Sequence, residues 1–169
     1  MKAAERREKI LAILGRGEPV TGAELARRLG VSRQIIVQDV AILRAQGSEI
    51  LASPQGYLLP SREEGCRRTF ACRHDLEGLE RELLIMVDNG GKVVDVAVEH
   101  PIYGELRGYL MVSCRREVYE FIDKLKKSGA NPLYTLTESG VHLHTVVAPD
   151  EDALKAMERE LLKAGILLR

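Results

Sequence analysis

Thr21-Gly22-Ala23-Glu24-Leu25-Ala26-Arg27-Arg28-Leu29-Gly30-Val31-Ser32-Arg33-Gln34-Ile35-Ile36-Val37-Gln38-Asp39-Val40 holds two helix starts and one tight turn within twenty residues. Thr21 and Glu24 have the spacing of a capping box, in which a hydroxyl and a carboxylate satisfy the free N–H groups at a helix start. The helix that follows runs through Leu25, Ala26 and Leu29. Gly30 then supplies a turn, Val31 an apolar plug, and Ser32 an N-cap for a further helix that continues to about Gln46, before Gly47. Its core face is predicted to be Ile36, Val40 and Leu43, at i, i+4 and i+7. The opposite face carries Gln34 and Gln38, with Arg33 at its start.

On the N-terminal side, Ile10, Ile13 and Leu14 mark a helix from about Ala3 to Leu14, ended by Gly15 and Gly17. On the C-terminal side, Ile50-Leu51-Ala52 and Tyr57-Leu58-Leu59 flank Ser53-Pro54-Gln55-Gly56, the pattern of a hairpin. Three helices with a small-residue bend and a trailing hairpin make a winged helix-turn-helix. Such a unit reads double-stranded DNA by laying its last helix in the major groove, polar N-terminal end toward the base edges. Ser32, Arg33, Gln34 and Gln38 are therefore the DNA-binding candidates: Arg33 suits a guanine or a phosphate, and each Gln suits an adenine. Ile35 suits a thymine methyl. The competing reading is a merely solvated helix face. Lys2, Arg6, Arg7, Arg27, Arg28 and Arg44 are candidates for phosphate contacts. One such unit reads a half-site, so a two-fold homodimer is expected.

Composition permits this reading without demanding it. The 169 residues carry 25 Lys+Arg against 25 Asp+Glu, so no basic excess advertises a nucleic-acid partner. Through Glu64 there are 10 basic and 8 acidic residues, and 15 and 17 beyond it, a tilt too small to decide anything. No apolar run approaches the ~18 residues of a membrane span. The charged start Met1-Lys2-Ala3-Ala4-Glu5-Arg6-Arg7-Glu8-Lys9 is not a secretory signal, and a cytoplasmic location is expected. Cys66, Cys72 and Cys114 are odd in number and lack a Cys-x-x-Cys spacing, which suggests reduced thiols.

Polar Pro60 to Gly65 marks a boundary between a first domain, residues 1–62, and a second, residues 66–169. In the second, Leu76, Leu79, Leu83 and Met86 mark an amphipathic helix, and Val93–Val98 and Leu106–Val112 read as strands. A helix at about Arg116–Ser128, a strand near Tyr134–Thr137, a strand at Val141–Val147 and a last helix at Glu151–Ala164 follow. Gly165 and Ile166-Leu167-Leu168 close the chain. The expected class is α+β: a winged helix-turn-helix, then an α+β sandwich whose mostly antiparallel sheet has helices on one face.

All four histidines lie in this second domain. His142 and His144 are two apart on a strand, so both rings leave one face and can approach one metal ion. Val141, Leu143, Thr145 and Val147 are then expected to pack on the helices. His74 precedes a possible helix cap, Asp75, and Glu82 flanks the apolar stripe, where a carboxylate needs a partner. Seven residues of helix between Asp75 and Glu82 would rise ~10 Å, so a shared ion is possible but stretched. Three imidazoles and a carboxylate suit Zn, Ni, Co or Fe(II) better than Mg or Ca. His100 opens His100-Pro101-Ile102-Tyr103-Gly104-Glu105, which is explained as a turn; alternatively His100 and Tyr103 line a small-molecule pocket beside the metal.

Val31-Ser32-Arg33-Gln34-Ile35-Ile36-Val37-Gln38-Asp39-Val40 resembles the winged helix of biotin-repressor-type regulators. Arg73-His74, Glu82-Leu83-Leu84-Ile85-Met86-Val87-Asp88 with Gly90-Gly91, Val98-Glu99-His100-Pro101-Ile102-Tyr103-Gly104 and Gly140-Val141-His142-Leu143-His144 resemble the three-histidine domain of NiaR-type transcriptional repressors. The similarity covers essentially the whole chain. It implies a repressor of nicotinate-uptake or NAD-synthesis genes, with nicotinic acid as co-repressor. It also implies a metal ion, nickel or zinc first, held at His74, Glu82, His142 and His144. His100 is expected among the named histidines and, with Tyr103, in the effector pocket. Arg107 and Arg115 are candidate clamps for the nicotinate carboxylate. Cys114 departs from the small polar residue expected there. Two alternatives stand beside this reading: a metal-responsive regulator with no organic effector, and a metal-dependent hydrolase, which would need an open metal position and a general base.

Overall fold

The computed structural model describes residues 1–61 and 64–169, and its contacts divide the chain into two units, Met1–Arg62 and Glu63–Arg169. Part of the expected boundary at Pro60 to Gly65 thus lies outside the described residues.

The first unit opens with α1 (Ala3–Leu14), α2 (Gly22–Leu29) and α3 (Arg33–Ala45). Both N-caps form: Thr21 Oγ1 accepts from the Glu24 N–H at 3.1 Å, and Ser32 Oγ accepts from the Ile35 N–H at 3.3 Å, whereas the Glu24 carboxylate, expected to complete a capping box, accepts from Arg27 and Arg28. Ile10, Leu14, Leu25, Ile36, Val40 and Leu43 form the core. The wing is β1 (Leu51–Ser53) paired antiparallel with β2 (Gly56–Leu58). Val20 adds to it, with backbone hydrogen bonds to Tyr57 in both directions at 2.8 and 2.9 Å. Gly56 makes this junction possible: its φ is +133°, and a Cβ there would sit 2.5 Å from the Val20 carbonyl.

The second unit is one four-stranded antiparallel sheet in the order β3-β6-β4-β5, built from β3 (Cys66–Cys72), β4 (Lys92–His100), β5 (Gly104–Val112) and β6 (His142–Ala148). Helices α4 (Gly78–Asp88), α5 (Arg115–Ser128) and α6 (Glu151–Lys163) contribute Leu83, Met86, Val118, Ile122, Leu154, Met157 and Leu161 to one core with Phe70, Val93, Val146 and Ala148. None of the helices among the described residues is long and apolar enough to cross a membrane.

Three expectations are corrected here, and one strand is added to them. Edge strand β3 escaped notice because its alternation is interrupted by Arg67 and Arg68. The strand near Tyr134–Thr137 is instead a 3-10 helix, Leu133–Leu136, entered from Pro132, whose carbonyl accepts from Thr135. Helix α4 begins at Gly78, three residues after Asp75; the Asp75 carboxylate accepts from the Gly78 N–H at 3.0 Å and closes a turn rather than capping a helix. Finally, the two faces of β6 are exchanged. His142 and His144 lie with Val146 and Ala148 on the helix-covered face, whereas Val141 and Leu143 are half-buried on the other. Apolar residues fall in both alternate sets, Val146 and Ala148 in one and Val141, Leu143 and Val147 in the other, and the patterning favours the second; the buried histidines are tolerated because a carboxylate faces them.

Candidate metal centre and nucleic-acid interface

The three residues between His74 and Gly78 form a turn, so only four residues of α4 separate its first residue from Glu82. That shortens the ~10 Å rise expected of an unbroken helix to ~6 Å. The His74 ring folds over the start of α4, and a Cβ at position 78 would lie 2.4 Å from His74 Cβ and 2.7 Å from its Cγ. Glycine at 78 is thus the condition for His74 to reach the centre. Its Nε2 lies 2.8 Å from Glu82 Oε2, with both side chains buried.

From β6, His142 Nε2 is 3.2 Å from both Glu82 oxygens, and His144 Nε2 is 3.2 Å from Oε2. Ligand atoms of His74, Glu82 and His142 all lie within 4.8 Å of one another. The residues read from the sequence as a ligand set therefore converge, and Glu82, fully buried, is their focus.

The remote ring nitrogens of the three histidines are all engaged. Each Nδ1 faces a backbone carbonyl: His74 that of Asp75 at 2.6 Å, His142 that of Gly140 at 2.9 Å, and His144 that of Asp95 at 2.8 Å. A carbonyl only accepts, so each Nδ1 carries the ring proton. In the neutral imidazoles every Nε2 then aims a lone pair at the carboxylate, which repels. Protonating all three would instead bury three cations against one anion. A divalent cation resolves both conflicts, and backbone carbonyls fixing the remote ring nitrogens are the usual support for metal-binding histidines. The donor set, three imidazoles and one carboxylate, fits zinc or nickel.

The electrostatics agree with a cation-seeking site. Burial opposes ionisation of Glu82, but with protonated imidazoles facing it the charge of His144 and the histidine hydrogen bonds outweigh burial and hold the carboxyl well below its usual range. Burial likewise works against charge on His74 and His144, and the hydrogen bond and charge of Glu82 reverse it, raising both. Cys72 pairs with His142 across β3 and β6. Burial first, then Glu82, push its thiol far upward, so it stays a neutral thiol beside the cluster.

The residues expected to surround the cluster have local partners in this structure. His100 and Tyr103 do not join the cluster. His100 Nδ1 accepts from the N–H groups of Ile102 and Tyr103, each at 3.2 Å, and its ring lies 5.1 Å from that of Tyr103, so the pair organises the β4–β5 turn. Arg107 and Arg115 are already committed: Arg107 to Asp95 at 2.5 Å and Glu105 at 2.6 Å, and Arg115 to Asp88 through two bonds of 2.6 Å. The sequence reading missed Tyr134, which is buried and packs its ring against those of His142 and His74, at 5.2 and 4.9 Å between centroids. Its signal was the apolar Pro132-Leu133-Tyr134 run, which reads equally well as plain core.

On α3, Ser32, Arg33, Gln34 and Gln38 are all exposed, beside exposed Val37, while Ile36, Val40 and Leu43 are buried. This is the face division that groove reading requires. Several supposed phosphate contacts have internal partners. Arg6 and Arg7 reach buried Asp39 from α1, Arg27 and Arg28 pair with Glu24, and the Arg44 Nε donates to the Ile50 carbonyl at 2.8 Å.

Comparison with known proteins matches residues 6–58 to an HTH domain and residues 67–169 to the 3H domain. The chain is 49% identical over 165 residues to the "Probable transcription repressor NiaR" of Thermotoga maritima, covering 97% of this chain and 94% of the relative. It is 41% identical to the "Transcription repressor NadR" of Bacillus subtilis, covering 100% of this chain and 96% of the relative. With a DNA-binding winged helix in front and a converged histidine cluster behind, the chain belongs to the 3H-domain transcription repressors of the NiaR and NadR type.

Proposed function

We propose that this repressor acts in the cytoplasm as a homodimer on operators of NAD-synthesis or nicotinate-uptake genes, with a zinc or nickel ion in its second unit and nicotinic acid as co-repressor. The observation that carries the metal is the convergence of three imidazole Nε2 atoms, each with its Nδ1 proton committed to a carbonyl, on the single carboxylate of Glu82. The relationship to NiaR and NadR supports the effector. Nicotinic acid strengthens repression only if it binds the DNA-competent form better than the other, and a metal-anchored carboxylate is a physical means of doing so.

A metal-only sensor is the second reading, favoured by one observation: both arginines expected to clamp a carboxylate are held in ion pairs. Operator binding by fluorescence anisotropy, on metal-loaded protein at fixed salt, separates the two. Nicotinic acid is expected to tighten binding and nicotinamide is not. A response to adding or stripping metal, with none to nicotinic acid, would replace the first reading by the second.

For DNA recognition, Arg33→Ala is expected to weaken operator binding by about 1–3 kcal/mol and to relax preference at one base pair. Equal weakening on every sequence would instead make Arg33 a phosphate contact.

A further inference from the structure

Tyr134 Oη is a buried side-chain polar atom without a hydrogen-bond partner. The residue is only 6% exposed. Its ring lies nearly parallel to His142, at 28°, and edge-on to His74, at 77°. Native interiors rarely leave a hydroxyl unpaired, and those that do usually await water, an ion or a ligand. The ring that carries this hydroxyl packs against two of the imidazoles proposed to hold the ion. The hydroxyl is also a donor, since a phenol keeps its proton at neutral pH. A group so placed neither competes for the ion as a phenolate nor helps to bind another cation. What it suits is an acceptor atom arriving next to the ion.

Access exists on the same side chain cluster. A cavity of about 410 Å³, lined by His74, Asp75, Glu77, Gly78 and Arg81 among others, opens on the proposed ligand His74, against whose ring that of Tyr134 packs edge-on. That volume admits a small organic anion, and Arg81 on its wall brings positive charge near the mouth.

We propose that the Tyr134 hydroxyl donates the hydrogen bond that orients a small carboxylate on the bound ion, making Tyr134 a specificity-determining residue of the regulatory site. The ion supplies the attraction for an anionic oxygen, and the phenol fixes which acceptor lies beside it. Because Phe keeps the stacking on His142 and His74, the role lies in the oxygen alone. This rests on the metal reading above, but not on nicotinic acid being the physiological effector.

The test uses full-length protein loaded with cobalt(II), whose visible spectrum reports its ligands, with acetate and nicotinate as probes on wild type and Tyr134→Phe. Near-ultraviolet circular dichroism confirms that the variant is folded, as expected for loss of an unpaired hydroxyl. Both proteins should hold one cobalt per chain with similar resting spectra. The carboxylate probes should perturb the wild-type spectrum, with binding to Tyr134→Phe weakened about tenfold, the worth of one hydrogen bond. Equal probe affinities would overturn the proposal, as would loss of cobalt from folded Tyr134→Phe, which would make the residue part of the metal site itself. Absence of cobalt binding by wild type would sink the metal reading and this inference together. Tyrosine-dependent acetate and nicotinate binding without any nicotinate effect on operator affinity would leave the inference standing and remove nicotinic acid as co-repressor.

Discussion

Glu82→Ala is expected to lower metal affinity at least ~100-fold, since even outer partners of metal ligands are worth roughly 10–100-fold. The carboxylate is where all three Nε2 atoms meet, so its removal takes away both a ligand and the negative charge that offsets the ion. Elemental analysis after dialysis should find close to one ion per wild-type chain and almost none in the variant. Full metal content in Glu82→Ala would mean that the ion sits elsewhere. A pH scan of chelator-stripped protein tests the same electrostatics. His74 and His144 are raised above their ordinary 6.5, so their contribution is complete below that value and is lost as pH rises through the raised folded values. Glu82 is lowered below its ordinary 4.5, so its contribution is present above that value and lost as pH falls through the lowered one. The metal-free wild type should therefore be most stable between these ranges, from about pH 5 to 6.5, and should weaken toward pH 8. In Glu82→Ala that maximum disappears, because both halves of the interaction require the carboxylate. A metal-free stability curve of the same shape in wild type and variant would contradict this assignment.

Asp39→Ala is expected to disable DNA binding while leaving metal content unchanged. Asp39 is 2% exposed on α3 and accepts from the Arg6 Nε at 2.5 Å, the Arg6 Nη2 at 3.3 Å and the Arg7 Nη1 at 3.5 Å. Two guanidiniums from α1 thus meet one carboxylate of the recognition helix. Removing the acceptor strands cations already drawn out of water, which is more damaging than replacing a whole pair. A unit of about sixty residues has little stability in reserve. Its thermal midpoint should fall by on the order of 10 °C, with operator binding lost as α1 separates from α3. Asp39→Asn keeps an acceptor and should fall less. If Asp39→Ala unfolds no sooner than wild type in urea or on heating, the ion pair is ornamental.

Legibility from sequence followed the strength of local signals. The winged unit was readable because caps act within three residues: Thr21 with Glu24 and Ser32 with Ile35 form as expected, and the apolar spacing of α3 leaves no second register. The role of Asp39 was not, because nothing local distinguishes an aspartate that meets Arg6 across 33 positions from a solvated one. In the second unit the four candidate ligands were named from spacing and resemblance. Their geometry was not, since it depends on Gly78 delaying the helix so that His74 can fold back. Which face of β6 is buried was equally hidden, as it is fixed by Glu82 arriving from α4. Tyr134 lacked any motif, and its chemistry emerges only from the rings it touches. The His-Pro-Ile-Tyr-Gly run at His100 was legible as a turn, and its histidine accepts from the backbone of that turn.

X-ray absorption at the metal edge, on protein purified with one ion per chain, tests the metal centre most directly. The expected first shell holds three imidazole nitrogens at ~2.0–2.1 Å and carboxylate oxygen at ~2.0–2.2 Å if the ion is zinc, with the imidazole signature reduced in His142→Ala. A shell of sulfur, or of oxygen alone, would contradict the centre built on His74, Glu82, His142 and His144.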